Sequence, residues 1–153
     1  MSYANPVVTF VVRDLPTTIR FYQEAFGFQV FNASDSVATL TYQGAYYTFY
    51  TEAYAREHFG QEAQSPSTSG LRPSVMPTIW TENVNETIQR SASAGARYEA
   101  QRNDQKVGYH FVTVVDPEGY YWRVSDCNDQ ASWNAAYFQG TAQGEQSTED
   151  TQD

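Results

Sequence analysis

The stretch VVTFVVRDLPTTIRFYQEAFGFQV, residues 7–30, reads as a strand that runs straight into an amphipathic helix. Its opening run, 7–12, is apolar and rich in β-branched residues, which suits a strand with a buried face. Asp14 then stands where an N-cap would, Pro16 falls in the first turn, and Ile19, Tyr22 and Phe26 recur at helical spacing until Gly27 stops the helix. The same layout returns later: an extended run over 76–81, Asn83 or Asn85 as cap, Ile88 and Ala92 on a helix, and Gly95 as its stop. Asp14 to Ile19 and Asn83 to Ile88 are both five steps, and the cap-to-glycine intervals are thirteen and twelve. That near match predicts duplication of one strand-helix-strands unit.

Outward from each helix the chain continues into a further strand and a hairpin. Residues 28–31 and 97–101 supply the strand. In the first unit 37–42 and 45–51 are β-rich and flank Gln43-Gly44, a two-residue turn; in the second, 109–115 and 120–125 flank the turn Asp116-Pro117-Glu118-Gly119. The expected fold is α+β, with two tandem βαβββ modules over 1–62 and 74–127. Residues 63–73, rich in Gln, Ser, Pro, Thr and Gly, read as a flexible linker. After the second module Asp129 could cap a short helix over 128–139 holding Trp133 and Phe138, and 140–153 reads as a disordered acidic tail with no base and no aromatic.

Composition narrows the function. Nine Lys+Arg against 18 Asp+Glu give a net charge of −9, which excludes a nucleic-acid binder working through a general basic footprint. Four of those acids (Glu145, Glu149, Asp150, Asp153) lie in the tail and say little about a site. No run reaches the roughly 18 apolar residues of a membrane span, and no basic leader precedes the first apolar run, so a cytoplasmic protein is expected. Cys127 is the single cysteine, which rules out an internal disulfide and a thiolate metal cluster within one chain. The 16% aromatic content, with 12 Tyr, 9 Phe and 3 Trp, exceeds what a core of this size requires, so some rings should line a surface that binds something.

Strand alternation assigns those rings to faces. Val8, Phe10 and Val12 share one side of the first strand. In the first hairpin Leu40, Tyr47 and Phe49 oppose Thr39, Thr41, Tyr46, Thr48 and Tyr50. In the second, a four-residue turn would place Phe111, Val115, Trp122 and Val124 opposite His110, Val112, Tyr121, Arg123 and Ser125. The oily sets should pack beneath the helices, leaving the others on a concave, partly polar surface.

Taken together, 7–30 with its RDL, FY and FGF elements, TIWTENVNETI at 78–88, Gly95, and VTVVDPEGYYWRV at 112–124 resemble the vicinal oxygen chelate superfamily of glyoxalases, extradiol dioxygenases and bleomycin-resistance proteins, over about residues 5–127. The resemblance implies that the two modules form a curled mixed sheet around a concave ligand cavity. In metal-dependent members it also implies a histidine on the first strand of each module, a donor late in the first module, and a glutamate four residues after the DPEG glycine. Those positions here hold Val7, about Thr48, Met76 and Arg123. Val7 has no donor, Met76 offers a soft thioether, and Arg123 puts a permanent positive charge where a cation would sit. No metal or other cofactor is therefore expected. The resemblance points instead to the metal-free, bleomycin-resistance-like branch, whose members are usually homodimers that sequester a drug.

The expected ligand is a small aromatic molecule or antibiotic, with Tyr46, Thr48, Tyr50, Trp80, His110, Tyr121 and Arg123 as candidate contacts. Arg123 could instead pair with an acid such as Glu52 or Glu82. Trp80 could equally be a dimer contact. The alternative is an enzyme of the same superfamily, either metal-dependent or a metal-free isomerase with His110 as base. Asp116 is read as turn chemistry and His58 as a solvated helix residue.

Overall fold

The computed structural model describes residues 7–98, 102–104 and 109–127, the backbone alone at 102–104, 109 and 110; the expected 128–139 helix and the tail lie outside the described residues. Strand β1 (Val8–Val12) leads into helix α1 (Leu15–Phe26), then β2 (Gln29–Ala33), β3 (Val37–Tyr42) and β4 (Ala45–Thr51). Helices α2 (Glu52–Phe59) and α3 (Pro66–Ser69) follow. The second unit has β5 (Thr78–Thr81), α4 (Val84–Ser93), β6 (Arg97–Tyr98), β7 (Arg102–Asp104), β8 (Tyr109–Val115) and β9 (Tyr121–Asp126). One sheet has the order β1-β4-β3-β2 and the other β5-β9-β8-β6, with β7 also on β8. In each, the first strand runs parallel to the last, so the duplication extends to topology. The two sheets share no hydrogen-bonded edge among the described residues.

Local chemistry explains the boundaries. The Asp14 side chain accepts from the Thr17 N–H and Pro16 occupies the first turn, while Gly27 closes α1 in the left-handed conformation at φ 74°. Asn83, rather than Asn85, caps α4 by accepting from the Glu86 N–H. Gln43 and Gly44 both have positive φ, 48° and 80°, as a two-residue hairpin turn requires.

Phe10, Val12, Ala38, Leu40 and Phe49 from the first sheet join Ile79, Val114, Trp122 and Val124 from the second in one buried cluster with Leu15, Phe21, Tyr22, Ala25 and Phe26 of α1. Trp122 lies at its centre, its ring centroid 5.5 to 5.6 Å from those of Phe10, Tyr22 and Phe26. Fully burying each such ring stabilises the fold by about 1.5 to 3 kcal/mol. The modules therefore share a core.

A polar cluster pins the same junction. The Tyr22 hydroxyl donates to Asp116 Oδ2 and accepts from Trp122 Nε1 at 2.8 Å. Asp116 Oδ1 accepts from the Glu118 and Tyr120 N–H groups at 2.9 and 2.8 Å. Glu118, 4% exposed, accepts from the Arg13 and Asp14 N–H groups at 3.0 Å each and from Ser65 Oγ at 2.6 Å. The stretch expected to be a flexible linker is accordingly anchored: Ser65 caps α3, and the Ser67 N–H donates to the Glu118 carbonyl at 2.9 Å. Gly119, at φ +94°, lies so close that an added Cβ would come within 3.0 Å of Pro66 Cβ.

One face assignment is corrected. Val115 pairs with Tyr121, Val114 with Trp122 and Thr113 with Arg123, so Val112 and Val114 lie with Trp122 and Val124, whereas Phe111, Thr113 and Val115 lie with Tyr121, Arg123 and Ser125. The cause is Tyr120. Its N–H is held by Asp116 Oδ1, its carbonyl accepts from the Asp116 N–H, and its hydroxyl both accepts from the Val11 N–H and donates to the Val11 carbonyl. Tyr120 thus belongs to the turn, the loop is one residue longer than expected, and the side-chain alternation of β8 reverses relative to β9.

Candidate functional site

The face of each sheet opposite the shared core carries the candidate residues. On the first sheet β4 presents Tyr46, Thr48 and Tyr50. Thr48 sits between Thr9 of β1 and Thr39 of β3, a row of hydroxyls across three strands. Tyr50 stacks on Phe59 of α2 at 5.5 Å between centroids and meets Tyr54 edge-on at 4.8 Å. Tyr46, 41% exposed, meets Phe31 edge-on at 5.6 Å. His58, on exposed α2, has its ring 4.1 Å from that of Tyr54.

On the second sheet Arg123 lies between Thr78 of β5 and Thr113 of β8, and Ser125 lies between Trp80 and Phe111. The Arg123 guanidinium carbon stands 4.4 Å from the Phe111 ring centroid. The backbone N–H of Arg123 donates to the Pro77 carbonyl at 2.9 Å. Beside it, Arg72 from the anchored linker places its guanidinium carbon 4.3 Å from the Tyr121 ring centroid. This face therefore carries two guanidinium–ring stacks, each a favourable cation–π arrangement. Ser125 is fully buried, and its hydroxyl has no hydrogen-bond partner among the described residues. Phe111 and Arg72 were not among the sequence candidates. Phe111 was hidden by the one-residue error in the turn, and Arg72 sits in a segment whose composition suggested a loose connection.

The structure thus brings Trp80, Tyr121 and Arg123 together on one sheet and Tyr46, Thr48 and Tyr50 on the other. Position 110 is not beside Arg123: it pairs with Asn103 and belongs to the Val112 series of β8, while Thr113 is the β8 partner of Arg123. The side chain of His110 lies outside the described residues. Glu52, one expected partner of Arg123, is engaged elsewhere: it binds Arg56 at 3.3 Å, the Ser65 N–H at 3.0 Å and the Thr68 hydroxyl at 2.5 Å. A groove of about 360 Å³ opens between the start of β1, Tyr120 and linker residues including Pro66 and Leu71, and it shares Thr9 and Arg72 with the two faces.

Electrostatics set the buried acid apart. Burial pushes the Asp116 carboxyl up to about 6 against the lowering effect of its hydrogen bonds, and pushes the Tyr120 hydroxyl up to about 12. Burial, and then the Asp116 charge, raises Tyr22 well above the usual tyrosine range. By contrast the exposed Asp14 carboxyl is lowered, chiefly by the Thr17 N–H.

The positions that the family resemblance assigns to a divalent metal do not fit one. Val7 is 51% exposed and lacks a donor, Thr48 offers a neutral hydroxyl, Met76 a thioether and Arg123 a cation. Among the described residues no group of three or more His, Cys, Asp or Glu is placed to hold a metal ion. No helix among them is long and apolar enough to cross a membrane.

Comparison with known proteins follows the fold. A glyoxalase-related enzyme from Fulvimarina pelagi superposes with a TM-score of 0.69 at 19% identity, covering 82% of this chain and 88% of that one. The fosfomycin resistance protein FosX from Listeria monocytogenes, complexed with Mn(II) and sulfate, gives 0.68 at 16% identity, covering 90% and 99%. The hypothetical protein SA1046 from S. aureus gives 0.67 at 14% identity, covering 83% and 96%. No curated protein matches the sequence significantly. The family model for the glyoxalase/bleomycin resistance protein/dioxygenase superfamily matches residues 5–124, nearly the whole of both modules. The chain belongs to the glyoxalase/bleomycin resistance protein/dioxygenase superfamily.

Proposed function

We propose that this protein is a metal-independent small-molecule binding protein that sequesters an aromatic ligand, such as an antibiotic, as a cytoplasmic homodimer. The observation that carries the reading is Arg123. A guanidinium stacked on Phe111, flanked by Thr78, Thr113 and Tyr121, occupies the position at which metal-dependent relatives are expected to hold a glutamate ligand. A fixed cation there disfavours a divalent ion by direct repulsion and offers a ligand both charge and planar contact. Rings on the faces opposite the shared core, Tyr46 and Tyr50 on one sheet and Trp80 and Tyr121 on the other, give an aromatic ligand surfaces to stack on. Each stacking or cation–π contact is worth about 0.5 to 2 kcal/mol.

Intrinsic fluorescence is the natural reporter, because Trp80 and Tyr121 lie on the face proposed to bind. Titration with a panel of aromatic drugs that includes bleomycin-type compounds should quench it at micromolar concentrations, with no divalent ion added. Absence of quenching by every member of the panel would contradict the reading.

A further inference from the structure

The geometry points to a ligand of the glycoside type: an aromatic molecule carrying an uncharged, polyhydroxylated group that is received by the open face of the first sheet. This inference rests on the small-molecule binding reading and adds the chemical class of the ligand.

Charge is missing from this sheet altogether. The chain is 18% charged and carries −9 overall, yet no residue of β1, β2, β3 or β4 is an acid or a base. The open face carries instead a line of small hydrogen-bonding groups. Thr9, Thr48 and Thr39 lie in register on β1, β4 and β3, and Asn32 of β2 pairs with Thr39, so the line crosses all four strands. Thr9 and Asn32 are exposed and Thr39 and Thr48 half-buried, and among the described residues none of the four side chains makes a hydrogen bond. A hydroxyl both donates and accepts, and an amide does the same with separate atoms, so the line suits a partner that mixes the two, as a polyol does. A charged group laid there would lose water and find no counter-ion.

Aromatic rings bound the line. Tyr46 and Tyr50 stand two residues to either side of Thr48 on β4. Tyr46 meets Phe31, which is 64% exposed, and Tyr50 stacks on Phe59, which is 63% exposed. Exposed rings at both ends of an uncharged strip mark a surface built for contact. At strand spacing the strip measures about 13 Å between Tyr46 and Tyr50 and about 14 Å across the four strands, room for a sugar ring with an aromatic group attached. The Tyr46–Phe31 pair offers the aromatic group an edge or offset contact, while the sugar hydroxyls lie over the threonine line. At its β1 end the line runs into a cavity, because Thr9 is also a wall of the groove of about 360 Å³. A second copy of the chain fits less well, since it would have to pair each of these polar groups or leave it buried and unsatisfied.

Calorimetry on the full chain with phenyl glucoside, phenyl galactoside, their fully O-methylated derivatives and phenyl glucuronide tests the assignment. At least one of the two glycosides should bind about tenfold more tightly than its O-methylated derivative, which keeps the rings and loses the donors. The glucuronide, with a carboxylate on the sugar, should bind more weakly than the glucoside, and salt should leave glycoside binding unchanged. Thr48→Val and Thr39→Val, which keep the shape and the β-propensity, should each weaken the glycoside by about two- to tenfold and leave the O-methylated derivative unaffected. Thr48→Arg should abolish glycoside binding without changing the sedimentation of the protein. If a valine variant fails to fold, the probe ranking of the unsubstituted protein still decides the matter. Equal binding of glycoside and O-methylated derivative, a glucuronide that binds as well as the glucoside, or an affinity unchanged in both valine variants overturns the glycoside assignment. So does a change of oligomeric state in Thr48→Arg, which would give this face to a second copy. Failure of all these probes while the wider aromatic panel still binds overturns the assignment and leaves small-molecule binding standing. Failure of the panel as well overturns both.

Discussion

The Tyr22 hydroxyl, on a helix of the first module, donates to the carboxylate of Asp116, in a turn of the second, and the same oxygen accepts from Trp122 Nε1. A read-through of the sequence places these residues 94 positions apart, yet they form a single buried chain of donors and acceptors. Asp116 thus does more than shape its turn: with Oδ1 on the Glu118 and Tyr120 N–H groups and Oδ2 on Tyr22, it spans both modules.

The pH dependence of stability follows from that position. Burial raises the folded-state value of Asp116 to about 6, above the usual 3.8. A raised acid contributes stability that is fully present below its unfolded value and is lost as the pH climbs through about 6. The groups facing Asp116 are Tyr22, Glu118 and Tyr120, and the Glu118 charge acts in the same upward direction. Between pH 4 and pH 7 this contribution should fall by no more than about 3 kcal/mol. Thermal unfolding of the unsubstituted protein and of Asp116→Asn across that range should show the difference between them changing from about pH 4 to about pH 6 and levelling above it. A difference that is flat with pH would show that Asp116 does not titrate there.

Removing only the Tyr22 hydroxyl should be costly despite the small change in volume. In Tyr22→Phe both Asp116 Oδ2 and Trp122 Nε1 lose a buried partner. Leaving such groups unsatisfied costs about 1 to 3 kcal/mol each, so a loss of about 2 to 6 kcal/mol is expected in denaturant unfolding. Near-ultraviolet circular dichroism should change as well, because Trp122 lies against the Tyr22 ring.

Glu118→Gln should loosen the linker more than it loosens the core. Its carboxylate holds two backbone N–H groups at the start of α1 and the Ser65 hydroxyl at the start of α3. An amide can accept with one oxygen and presents donors at the other position, where donors already point. The expected outcome is about 1 to 3 kcal/mol of lost stability and faster cleavage by a broad-specificity protease within 66–73. Unchanged cleavage would mean that the Ser67–Glu118 backbone contact and the Glu52 bonds to Ser65 and Thr68 suffice to hold α3.

Much of the fold is legible because its signals are local. Asp14, Pro16 and Gly27 bound the first helix, Asn83 caps its counterpart, and Gln43-Gly44 sets a register that places Leu40 and Tyr47 on one face. The second hairpin was misread because the capture of Tyr120 depends on Asp116 and on Val11, more than a hundred residues away. The anchoring of the linker is likewise invisible in its composition: Ser65 and Pro66 become ordered through Glu118 and Gly119, which are distant in sequence. At the site, alternation alone places Tyr46, Thr48 and Tyr50 on one face and Tyr121 with Arg123 on another, whereas Phe111 and Arg72 emerge only once strand register and linker path are known.

Metal independence with retained ligand binding is the central claim, and one calorimetric experiment addresses it directly. Protein purified without added metal and dialysed against chelator is titrated with the aromatic panel, then titrated again with Mn(II) present. The account predicts micromolar binding of at least one aromatic compound by the chelated protein, unchanged by Mn(II), and no stoichiometric divalent ion in the purified protein. Binding that appears only with Mn(II), or a tightly held divalent ion at one equivalent per chain, would contradict it.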